Sequence, residues 1–163
     1  MVSTISNDNI ENVAPFAMFM NCSTKPENMV AIAISPRTDT YKNIKDSKEF
    51  IIGIPKEDIL DKLYKAGEKI DSNISEFDFT GLTPYNSPKL RCKRIQECIV
   101  NIDCFFENEI ETGNHIIVIG KVIACDIDED KFSEDKVKLR CNIPGIYHIT
   151  GNNFIVNGNF KKI

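Results

Sequence analysis

Apolar residues fall in short runs separated by turn-forming clusters, and most runs have the length of strands rather than helices. Met29-Val30-Ala31-Ile32-Ala33-Ile34 is continuously apolar, the pattern of a strand covered on both faces. Phe50-Ile51-Ile52-Gly53-Ile54 reads the same way, as do residues 116–119 and 122–124 within a longer strand predicted over 115–125. From 95 to 106, the residues Cys98, Val100, Ile102, Cys104 and Phe106 alternate with more polar neighbours, which predicts a strand with one face inward. Near the amino end, residues 1–5 and 13–20 predict two strands, joined into a hairpin by Asn7-Asp8-Asn9. A first strand that starts at Met1 leaves the barrel edge it completes without an upstream part.

Helical spacing interrupts this pattern in few places. Residues 38–47 predict a short helix. Over 58–67, Ile59, Leu60, Leu63 and Ala66 share one face and Gly67 suits the C-terminal cap. Residues 75–79 predict one further turn, and 81–88 a loop rich in turn residues. Residues 109–114 read as a hairpin turn and 126–136 as an acidic, helix-like stretch. Ile146-Tyr147-His148-Ile149 and Phe154-Ile155-Val156 predict a last hairpin across Gly151-Asn152-Asn153. Long strands, hairpin turns and no βαβ alternation predict a mainly β fold with short helices, a closed or nearly closed antiparallel barrel.

Composition narrows the class. A chain of 163 residues suggests one domain, with a core over about 1–130 and a C-terminal extension over 131–163. The formal net charge is −4, with Lys and Arg scattered among Asp and Glu, which argues against nucleic acid as a partner. No apolar run approaches the ~20 residues of a membrane helix, and no signal peptide is visible, so a cytoplasmic protein is expected. Six cysteines have no C-x-x-C pair and are expected as free thiols. Cys98, Cys104 and Cys125 lie inside strand-like runs. His115 and His148 stand apart, without the spacing of a metal site. The acidic run Asp126-Ile127-Asp128-Glu129-Asp130 is either a docking face for a basic redox partner or a solvated surface.

Candidate chemistry gathers at Ser35-Pro36-Arg37-Thr38-Asp39-Thr40, between the strand at 29–34 and the helix at 38–47. A helix N-terminus presents amides without intrahelical partners and favours an anion. Arg37, Thr38 and Thr40 there suit a phosphate, while Thr or Asp at such a place also serves as a plain N-cap. Asp39 would repel a phosphate and is expected to point away or to cap the helix. No G-x-G-x-x-G follows a strand, so no dedicated dinucleotide domain is present.

Several segments, taken in order, resemble the flavin reductase-like family of FMN-binding split β-barrels, which includes flavoredoxins. Asn12-Val13-Ala14-Pro15-Phe16-Ala17 is similar to the family's Asn-x-Ala-Pro-x-Ser, and Asn21-Cys22-Ser23-Thr24-Lys25-Pro26 to its loop before the third strand. Thr38-Asp39-Thr40-x-x-Asn43-Ile44 resembles Lys-Asp-Thr-x-x-Asn-Ile, and Glu49-Phe50-Ile51-Ile52-Gly53-Ile54 resembles Glu-Phe-Val-Val-Asn. Gly81-Leu82-Thr83 and Ile95-x-Glu97-Cys98 match recurrent segments, and Gly113-Asn114-His115-x-x-x-x-Gly120-x-Val122 is similar to Gly-Asp-His-x-x-x-x-Gly-x-Val. The similarity covers roughly residues 1–130. Three departures stand out: Gly53 where Asn is common, Asn114 where Asp is common, and Thr38 where Lys is common.

The resemblance implies a Greek-key type split barrel that binds FMN and works as an oxidoreductase, with NAD(P)H as a transient electron donor. It implies phosphate contacts from Arg37, Thr38 and Thr40, and contacts to the rest of the cofactor from Asn12, Ala14, Pro15, Phe16, Ala17, Asn21, Cys22, Ser23 and Gly53. His115 is the residue expected to orient the substrate. The resemblance also implies a homodimer with FMN in a groove near the interface, toward which residues 58–88 of one copy extend. Two alternatives stay open: a flavoredoxin-like carrier reduced by a protein partner, and a barrel that no longer binds flavin.

Overall fold

The computed structural model describes residues 1–127, together with the strand backbones at 146–150, 153–156 and 159–162. Two strands open the chain, β1 (Val2–Ile5) and β2 (Glu11–Ala14), closed by a turn in which Asn9 has a left-handed φ of 63°. Next come β3 (Phe19–Ser23), β4 (Met29–Ile34), α1 (Asp39–Ser47) and β5 (Glu49–Pro55). A 3-10 turn (Glu57–Ile59) leads into α2 (Leu60–Lys65) and α3 (Glu76–Thr80). Two short strands, β6 (Pro84–Asn86) and β7 (Lys93–Ile95), precede the long hairpin β8 (Cys98–Thr112) and β9 (His115–Ile127). Three tail strands, β10 (Ile146–Thr150), β11 (Asn153–Val156) and β12 (Asn159–Lys162), form an antiparallel sheet of their own.

Seven strands form the main sheet in the order β2-β1-β5-β8-β9-β4-β3, all antiparallel. The pairings β1–β5, β5–β8 and β4–β9 join strands distant in sequence, which gives the Greek-key type of connectivity. β2 and β3 occupy opposite edges, yet only residues 15–18 separate them. A flat sheet of this width spans roughly 29 Å at about 4.8 Å per strand, and the five steps from Ala14 to Phe19 reach at most about 18 Å. The sheet therefore rolls up, and the Ala33 amide donates to the Met18 carbonyl at 3.0 Å, carrying the β3–β4 ladder one residue back toward the corner. The single strand expected over 13–20 is thus two strands. Pro15 has no N–H to give a ladder, so pairing with β1 ends at Ala14 and the chain crosses the split.

The barrel core joins Val2, Val30, Ile32, Ile34, Phe50, Ile52, Cys104, Ile116 and Val118, with Ile44 of α1 packed onto it. A second cluster seats α2 and α3: Val13 of β2 meets Ile59, Leu63, Ala66, Phe77 and Leu82, together with Ile95 and Cys98. The face expected for α2 is the one that docks.

Polar positions of β8 depart from the expected alternation, because β6 and β7 cover the outer face. Asn101 is buried and acts as a strand partner, its Oδ1 accepting from the Ile95 amide at 2.9 Å and its Nδ2 donating to the Ile95 carbonyl at 3.0 Å. Asp103 is buried against Arg94, whose Nε and Nη2 donate to it at 3.0 and 2.9 Å. The expected turn over 109–114 is narrower, since β8 runs to Thr112 and Gly113 takes a left-handed φ of 54°. Within the acidic stretch, Asp126 and Ile127 continue β9, paired with Asn101 and Val100. The remainder of that stretch, Cys141 and the Gly151-Asn152 link lie outside the described residues. Among the described residues Cys92, Cys98 and Cys104 are buried free thiols, while Cys22 and Cys125 are exposed.

Candidate functional site

The strand β4 delivers the chain to the start of α1, where Thr38 is the N-cap. Its Oγ1 accepts from the Tyr41 amide at 3.2 Å and donates to the Ser35 carbonyl at 2.9 Å. The cap satisfies one amide of the first turn and leaves those of Asp39 and Thr40, which have no intrahelical acceptor. Thr40 is buried, and its hydroxyl donates inward to Asn12 Oδ1 at 3.0 Å. Thr4 donates to the same oxygen at 3.0 Å and accepts from Asn43 Nδ2 at 3.2 Å. With its oxygen engaged twice, Asn12 turns Nδ2 to Glu76 Oε1 at 2.7 Å. One buried amide on β2 therefore ties α1 to α3.

Above this knot lies a pocket of about 660 Å³, inside the size range of small-molecule and cofactor sites. The β2–β3 corner contributes Ala14, Pro15 and Phe16, and the start of α1 contributes Arg37, Thr38 and Thr40. The far wall is Leu63, Tyr64 and Gly67 with Ile70 beyond α2. Gly67 abuts the corner: a β-carbon there would lie 3.3 Å from Pro15 Cγ. The arrangement sets an apolar slot beside a polar end that carries a guanidinium and a helix N-terminus.

Of the residues nominated from sequence, the fold gathers Asn12, Ala14, Pro15, Phe16, Arg37, Thr38 and Thr40 around this pocket. It places the others elsewhere. Ala17 is exposed past the corner, and Asn21 and Cys22 are exposed on the β3 edge. The Ser23 hydroxyl donates to the Glu27 carbonyl at 3.0 Å. Gly53 is buried, donating its amide to the Met1 carbonyl at 2.9 Å, and a β-carbon on it would meet Cys98 Sγ at 2.6 Å. Burial pushes that Cys98 thiol up to about 12, the state of an inert packed thiol. His115 opens β9, opposite Thr112, with Nδ1 2.8 Å from Asn114 Oδ1.

The acidic lining is what sequence reasoning missed. Asp39 faces the pocket as well as opening α1, and Glu68 and Glu76 join it. Burial pushes the Glu76 carboxyl above the ordinary carboxylate range, and Asp39 acts in the same direction against the Asn12 hydrogen bond. The only local sign of Glu76 is Ser75 just before it, whose Oγ accepts from the Asp78 amide at 3.4 Å as the cap of α3. Among the described residues no cluster of His, Cys, Asp and Glu is arranged to hold a metal ion, and no helix is long and apolar enough to cross a membrane.

Known proteins share both the sequence pattern and the fold. A model of the flavin reductase like domain matches residues 1–151. An uncharacterized protein of Aquifex aeolicus is 30% identical over 139 residues, 82% of this chain and 70% of the relative. Nitrilotriacetate monooxygenase component B from Bacillus cereus superposes with a TM-score of 0.85 at 20% identity, over 99% of this chain and 81% of that one. An FMN-binding protein from Thermus thermophilus, solved with bound p-hydroxybenzaldehyde, gives 0.78 at 13% identity, over 99% and 82%. At these identities the two structures share the fold, a split barrel, while the domain match covers most of the sequence. The chain belongs to the flavin reductase like domain family.

Proposed function

We propose that the pocket holds FMN and that the protein is a flavin reductase-type oxidoreductase. The observation that carries the reading is the pocket itself, which joins an apolar slot to a helix N-terminus flanked by Arg37. FMN has the same two-part chemistry, a flat apolar ring system and an anionic tail. Arg37 and the amides of Asp39 and Thr40 suit the phosphate. The Thr38 and Thr40 hydroxyls are engaged in the cap and on Asn12, so these residues serve the site through the backbone they hold in place. Pro15, Phe16 and Tyr64 suit the ring faces, and the amides past Pro15 suit its polar edge.

Bound FMN supplies a two-electron redox step between a donor such as NAD(P)H and a flavin, ferric or protein acceptor. The chain supplies position. The α2 wall and the β2–β3 corner would hold the ring between them, leaving the pocket's open side for a nicotinamide. The reading includes a homodimer.

The test is direct. Purified protein mixed with FMN is expected to retain it through gel filtration, with the visible bands of oxidised flavin, and to oxidise NADH or NADPH when a ferric chelate or free flavin is added. Retained flavin without oxidation of either nucleotide, but reduced by a protein partner in a salt-sensitive way, marks a flavoredoxin-like carrier instead. Absence of flavin binding rejects the cofactor reading.

A further inference from the structure

Glu76 plays no part in attracting an anion, yet it is fixed in the wall of the same pocket. Its Oε1 accepts from Asn12 Nδ2 at 2.7 Å, and Asn12 cannot turn away, because its own oxygen holds the Thr4 and Thr40 hydroxyls. The carboxyl is therefore clamped at the pocket rather than free to swing into water. Among the described residues it forms no ion pair.

The charges facing it come from every neighbouring element. Asp39 of α1 and Glu68 beyond α2 share the pocket, and Asp8 of the β1–β2 turn shares the small cavity behind it. Against these stand Arg37 ahead of α1, Lys42 of α1 and Lys69 beyond α2, with the neutral Tyr64 of α2. Arg37 and the amides of α1 answer an anion, and Asp39, Glu68 and Glu76 in the same lining oppose one.

We infer that Glu76 sets the pocket's preference for the charge of its ligand, its fixed carboxylate opposing an anionic tail. The inference rests on the reading of the pocket as a flavin site. Only one side chain stands between Glu76 and the start of α1, so a dianion seated there raises the local negative potential and favours the neutral acid. Burial already acts in that direction. The uncharged analogue, riboflavin, escapes the effect. The residue thus tunes discrimination between phosphorylated and unphosphorylated flavin.

The experiment is fluorescence titration of the full chain and of Glu76→Gln with FMN and with riboflavin. It runs from about pH 6.5 to about pH 8.5, where the phosphate stays largely dianionic with its second pKa near 6. Gln keeps an oxygen for Asn12 Nδ2, and thermal melting of the variant checks that the fold is kept. The expected result is FMN affinity raised about 3- to 10-fold at the alkaline end in the variant, the size of one partly screened charge. Riboflavin affinity is unchanged. Equal FMN affinity in both proteins across the range overturns the inference. So does equal weakening of both flavins, which would make Glu76 a contact to the neutral part of the ligand. Failure of the unaltered chain to bind either flavin removes the cofactor reading and the inference with it.

Discussion

A β-carbon on Gly120 would lie 2.3 Å from Cζ of Phe50 and 3.1 Å from Cβ of Cys104. Phe50 is fully buried in the barrel core, so its ring has nowhere to retreat. The glycine seven positions beyond Gly113, which falls in the segment similar to Gly-Asp-His-x-x-x-x-Gly-x-Val, is therefore a packing requirement between β9, β5 and β8. Gly120→Ala is expected to destabilise the fold by about 1–3 kcal/mol through overpacking, read as a lower denaturant midpoint with an unchanged slope. Shortening the opposing ring with Phe50→Leu in the same chain is expected to give a double variant more stable than the sum of the two single losses, because the two residues share one space. Gly53 has the same explanation on the other side of β5, where Cys98 and Ile95 fill the space of its missing side chain. Its position reports core volume, and the absent Asn side chain has no opening to a ligand there.

The helix α1 is set by both of its ends. Thr38 caps the start, and Lys48 ends it in a left-handed conformation with φ of 61°, its amide donating to the Ile44 carbonyl at 2.9 Å. Thr38→Ala is expected to cost about 0.5–2 kcal/mol, seen as a lower thermal midpoint, and to weaken FMN more than riboflavin because the freed first turn no longer holds its amides toward the phosphate. This helix, the continuous apolar runs of β4 and β5, and the docking face of α2 were all legible in sequence, since each is fixed by local periodicity and burial on a recurrent face. The break at Pro15 was not. Residues 13–20 are apolar on both sides of it, and only the pairing partners of β2 and β3 reveal that the two halves lie at opposite edges. Asn101 and Asp103 look solvent-facing by alternation and become buried because β6 and β7 fold over them. Glu76 looks like a surface acid and joins the pocket because α3 docks on β2 beside Asn12. In each case the missing information was a contact between elements far apart in the chain.

Rolling the sheet leaves two edges with different fates. The β2 edge is covered, as Val13 packs under α2 and α3. Among the described residues nothing pairs with the outer edge of β3: Met18 is 49% and Met20 59% exposed, and Cys22 is exposed on the same side of the strand. A strand edge carrying exposed apolar side chains is a template for pairing and calls for a cover. We propose that a second copy of the chain provides it, edge to edge about a two-fold axis, which makes the contact self-complementary. The same edge begins at the corner that lines the pocket, so assembly and cofactor retention are coupled. Light scattering is expected to give a mass near twice the 18.5 kDa of the chain. Met20→Lys places a charge in the centre of that contact and is expected to shift the protein to monomers of unchanged circular dichroism, with FMN held at least several-fold more weakly. A monomer for the unaltered chain at micromolar concentration overturns the dimer. A Met20→Lys monomer that binds FMN as tightly as before leaves the dimer standing and shows that each pocket is complete within one chain.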